Sequence, residues 1–265
     1  MRRILIAGLA LIFIASCSSY DRSPDFVTYK TLPENPESLN ESEEHYNKKP
    51  AIRIGGRHPD LDSLIKLQHL YYEDDNQFDI AKFRNFWNEF VKEESNRELT
   101  KDEVSDWVEL TGFLFQLTGE ARIAEEFERI VYRHFYYNHN RKYDLMFMPY
   151  IFTRHTDKIH VNLYMPAEIN FIHSLGGKVT ITQQTDFPKT GRILLVFGME
   201  TKQYVELFVR IPSWAENASV TVGGVKYLAS PGSYSHIAKK WKEGDEVEVL
   251  IPLENLPAWI KPVNR

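Results

Sequence analysis

The sequence predicts an α+β fold, a small helical bundle followed by an antiparallel β-sandwich, and three observations predict it. Up to about residue 157 apolar side chains recur at helical spacing. From Ile159 onward they alternate, as in Ile159, Val161, Leu163 and Met165 against His160, Asn162 and Tyr164. Turn signals then punctuate the alternation, Gly223-Gly224 and Glu243-Gly244-Asp245 among them. Short alternating strands at this spacing describe a sandwich. The chain divides accordingly into an N-terminal signal segment (1–16), a flexible tether (17–50), a helical domain (51–157) and a β-sandwich domain (158–265).

The first segment has Arg2 and Arg3 ahead of an apolar run over residues 4–14. That run is about half of the ~20 residues a membrane span needs, so it reads as a signal peptide. It ends Ile14-Ala15-Ser16-Cys17, which resembles the lipobox of bacterial lipoproteins. Small residues before the cysteine admit the peptidase, and the thiol of Cys17 takes the lipid. Ser18 and Ser19 follow in place of Asp, which points to the outer membrane of a two-membraned cell. The expected location is therefore a lipid-anchored cell envelope, with the membrane as first partner and Met1 as a true start. Residues 18–50 are rich in Ser, Asn, Asp, Glu and Pro, and Pro24, Pro33, Pro36 and Pro50 interrupt any helix.

In the helical half, His58-Pro59-Asp60 opens a helix with Leu61, Leu64, Ile65, Gln68 and Tyr72 on one face. Ile80, Phe83, Trp87, Phe90 and Val91 make a second. Thr100 and Glu103 fit a capping box before a third helix carrying Val104, Trp107, Val108, Thr111 and Phe115. Gly119 stops it. A fourth helix over residues 120–134 buries Ile123, Phe127, Ile130 and Val131, with Glu125, Glu126 and Glu128 on its solvated face.

In the β half, Val205, Leu207, Val209 and Ile211 face one way, with Tyr204, Glu206, Phe208 and Arg210 opposite. Val220 and Val222 alternate ahead of Val225, and Val247, Val249 and Ile251 form the last strand. Trp214 and Trp241 either contact sugar or plug the ends of the sandwich; the sequence leaves both readings open.

Five segments carry a resemblance. Residues 115–129, running Phe115-Gln-Leu-Thr-Gly-Glu-Ala, look like a helix pair of glycoside hydrolase family 127, the β-L-arabinofuranosidase family. Residues 161–168 and 179–188 are similar to two of its strands. Leu207-Phe-Val-Arg-Ile-Pro-Ser-Trp-Ala215 matches a family signature, and residues 241–249 fit a closing hairpin. The resemblance implies that residues 51–157 are the remnant of a helical barrel too large for the space available. It also implies a zinc-held cysteine nucleophile supported by further cysteines and a glutamate.

Those ligands are missing from the expected places. Residues 99–105 read Leu-Thr-Lys-Asp-Glu-Val-Ser and residues 143–150 read Tyr-Asp-Leu-Met-Phe-Met-Pro-Tyr. The chain has one cysteine, Cys17, and its thiol is committed to lipid. The expectation is therefore no catalytic residue, no metal site and no cofactor, with the family zinc absent.

Other chemistries are equally thin. His134, His139, His155 and His160 lie near Asp144, Asp157 and Glu168 in sequence, but His134 and His139 are five residues apart and share no helical face. No nucleophile elbow, phosphate loop or zinc-protease helix is present, and Gly55-Gly56 lacks the third glycine of a dinucleotide fingerprint. A net charge of −5 excludes a nucleic-acid surface. The expected function is a non-catalytic, glycan-associated lipoprotein, a pseudoenzyme of family 127, whose partners are a polysaccharide or a neighbouring lipoprotein. The alternatives are a glycoside hydrolase acting on arabinose-containing glycans and a structural or assembly lipoprotein.

Overall fold

A computed structural model describes residues 59–73, 77–94, 99–136 and 147–260. The signal segment, Cys17, the tether, Gly55, Gly56, His58, His139 and Asp144 lie outside the described residues.

Four helices come first: α1 (Pro59–Glu73), α2 (Ile80–Glu94), α3 (Lys101–Thr118) and α4 (Ala121–Val131). α1 packs on α2 and α3, and α3 on α4. The third starts where the sequence places it. The Thr100 side chain accepts from the Glu103 backbone N–H, and the Glu103 carboxylate accepts from the Thr100 N–H at 2.9 Å. Gly119 ends it in the left-handed region at φ 63, where the missing Cβ avoids strain. The core joins Trp87, stacked on Trp107 at 5.8 Å, with Phe90 against the same ring at 4.4 Å. The indole N–H of Trp87 donates to the buried Thr111 hydroxyl at 3.1 Å, which satisfies both polar atoms. Two expected core residues stand further out, Tyr72 at 45% exposed and Ile80 at 40%. Each sits at an end of its helix, and Tyr72 still meets the Phe113 ring at 5.9 Å.

A π-helical turn (Tyr132–Tyr136) ends α4 earlier than periodicity suggests, and a 3₁₀ turn (Met148–Tyr150) leads to the strands. These are β1 (Phe152–His155), β2 (Lys158–Val161), β3 (Ala167–Ile172), β4 (Lys178–Thr185), β5 (Arg192–Met199), β6 (Gln203–Ile211), β7 (Ser219–Val222), β8 (Val225–Leu228), β9 (Ser233–Trp241) and β10 (Glu246–Leu250). One sheet runs β1-β2-β6-β9 and the other β3-β4-β5-β10-β7-β8. Alternating residues such as Val205, Leu207, Val209 and Ile193, Leu195, Phe197 fill the space between.

Three details depart from the sequence reading. The sheet begins at β1, inside the segment assigned to the helical domain, because Phe152 pairs with Val161. The β2–β6 pair is parallel, since the chain leaves the first sheet after β2, builds β3 to β5 in the second and returns beside β2 in the same direction.

The third concerns residues 162–166, where the expected strand breaks and the chain crosses between sheets. Asn162, Leu163, Tyr164 and Met165 are all buried there, so the alternation is lost. Side chains replace the missing ladder. Gln183 Nε2 donates to the carbonyls of Leu163 at 2.9 Å and Met165 at 2.5 Å, and Arg210 Nε to that of Asn162 at 2.6 Å. Buried backbone groups need such partners, and here three come from only two side chains.

Candidate functional site

Helix α4 lies against the four-stranded sheet and supplies the charged residues at the seam. Glu125 and Glu128, three residues apart, project toward the sandwich. Glu128 is fully buried, contrary to its expected place on a solvated face, because Arg210 reaches it from β6 at 2.7 Å. Arg210 was expected on the open side of its strand, but the helices cover that end of the sheet.

A polar network surrounds the pair. Asn162 Nδ2 donates to the Tyr150 carbonyl at 3.0 Å and to the Thr153 hydroxyl at 3.1 Å, while the Tyr234 hydroxyl donates to Asn162 Oδ1 at 2.8 Å. The Tyr164 hydroxyl donates to the Arg210 carbonyl. Burial pushes the Tyr164 and Tyr234 phenols up. Burial also pushes the Glu128 carboxyl up, against the pull of Arg210. For Arg210 burial acts downward, but Glu128, Tyr164 and Tyr234 act upward and together raise its pKa. The network is enclosed and offers no surface for a substrate, so it joins the two halves.

Beside it a groove of about 280 Å³ opens between α2, α4 and the sandwich. Arg122, Glu125, Glu126 and Arg129 line it from one side of α4, and Val91 and an edge of Trp87 from α2. The sandwich contributes Ser213, just past β6, and Gly232, whose φ of +70 turns the chain into β9. Trp259, half-buried on the 3₁₀ turn Ala258–Ile260, closes one end with its ring 6.3 Å from that of Tyr132. Glu125 is held by the Ser213 N–H at 2.8 Å and hydroxyl at 2.5 Å. Glu126 is held by Arg129, whose Nε and Nη2 donate at 2.9 and 2.5 Å. Arg122 is exposed, donates to Asn88 at 2.8 Å and lies over the Trp87 ring at 5.6 Å.

The sequence-predicted residues fall elsewhere. Trp241 is fully enclosed, stacked on Phe197 at 3.9 Å and donating to the Val205 carbonyl at 2.9 Å, so it has no face for a sugar. Trp214 is half-buried and nearly parallel to Phe187 at 6.4 Å, and its enclosed indole N–H finds no acceptor. Among the described residues His155 acts on the charge of His160, and no three acidic, histidine or cysteine groups gather to hold a metal. His160 stacks on Phe208 at 4.4 Å, while His155 ends β1 and His134 lies on the π turn. Asp157 accepts from the Ser174 N–H at 3.0 Å, and Glu168 from Asn170 and Thr182.

A thiolate–zinc site does not fit this chain. Its one cysteine is Cys17, and among the described residues no three of His, Cys, Asp and Glu come together in a way that could hold a metal ion. Glu103, near the place where the family pattern asks for ligands, is spent on its helix cap.

Sequence reasoning passed over Arg122, Trp259 and the Glu128–Arg210 pair. A signal existed for the pair: Arg210 interrupts the otherwise apolar run from Leu207 to Ile211, and a charge there needs a buried acid. Nothing in the sequence singled out Trp259.

Comparison with known proteins identifies the sandwich. Residues 158–253 match the family model described as β-L-arabinofuranosidase, GH127 middle domain. Among solved structures, one titled glycoside hydrolase aligns with a TM-score of 0.58 and 17% identity over 73% of this chain and 46% of its own. A GH127 β-L-arabinofuranosidase from Geobacillus stearothermophilus T6 aligns with a TM-score of 0.46 and 22% identity, covering 57% of this chain and 30% of that one. A GH127 β-arabinofuranosidase gives a TM-score of 0.47 and 20% identity over 56% and 32%. The chain thus spans less than half the length of each. No curated protein matches it. The match to the GH127 middle domain thus lies over the sandwich, residues 158–253.

Proposed function

We propose that the chain is a non-catalytic, glycan-associated lipoprotein of the cell envelope, built on the family 127 middle domain and anchored at the outer membrane through Cys17. One observation carries this reading: the single cysteine of 265 residues sits in a lipobox-like tetrapeptide, where acylation consumes the thiol. A thiolate mechanism needs several such sulfurs on a metal, and none remains. The relatives' titles name arabinofuranosidases, so the sugars worth testing first are arabinose-rich glycans.

Full-length protein in a detergent without sugar headgroups tests this with an aryl β-L-arabinofuranoside and elemental analysis. The expected result is no release of the aryl group above buffer and far less than one zinc per chain. Turnover abolished by a chelator would overturn the reading in favour of a hydrolase.

A further inference from the structure

We propose that the groove between α2, α4 and the sandwich is the binding site for the glycan, and that it takes a single neutral sugar ring. This deepens the glycan-associated reading and rests on it.

The argument begins with charge. Arg122 and Arg129 lie beside Glu125 and Glu126 on α4, so the lining sums to no net charge. An anionic ligand would meet both carboxylates, and a cationic one Arg122. A neutral polyol avoids either conflict.

The hydrogen-bonding inventory suits such a ligand. Each Glu125 oxygen accepts one bond from Ser213, and a carboxylate oxygen has a second lone pair. Arg122 gives one of its five N–H groups to Asn88. The Glu125 acceptors and the Arg122 donors, one turn apart on α4, can each take a hydroxyl, which is both donor and acceptor. Ser213 and Arg129 hold the carboxylates in place before a ligand arrives, and that reduces the ordering cost of binding.

Trp259 supplies the rest. A sugar ring has a C–H face that packs on an indole while its hydroxyls stay at the edge. Trp259, Val91 and Trp87 are the apolar side chains that line the groove beside the charged ones. About 280 Å³ admits one ring rather than a chain of them.

The larger cleft, about 410 Å³ beside β5 and β10, lacks this combination. Its two cations are already paired, Arg192 with Glu248 at 2.5 Å and Lys239 with Asp245 at 3.0 Å, Glu246 leaves its lining net negative, and no aromatic side chain lines it.

The test uses the full chain in the same detergent, titrated with arabino-, xylo- and galacto-oligosaccharides, with an oligogalacturonide as the anionic arm and a chitosan oligomer as the cationic one. Binding is read by tryptophan fluorescence and saturation-transfer NMR. At least one neutral oligosaccharide should bind and both charged ones should not. Arg122→Met and Trp259→Phe should each weaken that binding about tenfold, as expected for losing one charged hydrogen bond or part of a stacking face. Arg122 is exposed, so its variant decides the matter even if Trp259→Phe disturbs folding. Neutral binding untouched by either variant overturns the groove and leaves the glycan reading standing. Binding of a charged oligomer alone overturns the neutral ligand. No binding by any probe overturns both proposals.

Discussion

Glu128 of α4 and Arg210 of β6 meet 2.7 Å apart at the seam, both wholly out of solvent. Two buried charges hold each other only while both are present, because desolvation of one alone is uncompensated. Arg210→Met should destabilise the protein by roughly 3–5 kcal/mol in chemical denaturation. The double variant Glu128→Leu/Arg210→Met should recover most of that loss. A double-mutant cycle giving additive losses would mean that the pair does not couple the halves.

Trp241 fills the sandwich instead of meeting a ligand. Trp241→Ala should cost roughly 3–5 kcal/mol through the cavity it leaves. Trp241→Phe keeps a ring against Phe197 but strips the Val205 carbonyl of its donor, a loss of roughly 1–3 kcal/mol. Thermal unfolding checks both, and the folded Phe variant should bind sugars as the parent does.

Protonating His160 should loosen the fold. Burial lowers its pKa from 6.5 to about 4, and His155, Lys158 and His236 add to the effect. Phe208 stacks on the ring and Tyr234 meets its edge at 5.3 Å. The unfolded chain therefore binds the extra proton more readily, and stability is full above about pH 6.5 and falls as pH drops toward 4. The loss is on the order of 2 kcal/mol. In denaturation measured from pH 7 to 4, His160→Phe should flatten that limb while His236→Gln should not remove it.

The proposed lipidation at Cys17 predicts that full-length protein made in a two-membraned bacterium takes up labelled palmitate and partitions into detergent. Cys17→Ser should abolish both. Unchanged partitioning of the variant would sink the anchor.

Much of the local structure was legible in residues 59–260 because it depends on neighbours in sequence. The capping box at Thr100 and Glu103, the stop at Gly119 and the alternation along β5 and β6 each involve residues within a turn or a few positions. The four family-like segments of the β half pointed to the same sandwich that the family model matches.

Tertiary structure decided the rest. Asn162 and Tyr164 read as the outer side of a strand, yet the chain crosses between sheets there and buries them. Glu128 read as solvated and Arg210 as opposite the apolar face of its strand, yet the two are buried against each other. The groove joins Glu125 to Ser213, 88 residues apart in the chain. A period along one segment records which side of it is apolar. Which polar residues of that segment are then covered depends on a second segment packing against it, and spacing within the first carries no information about that.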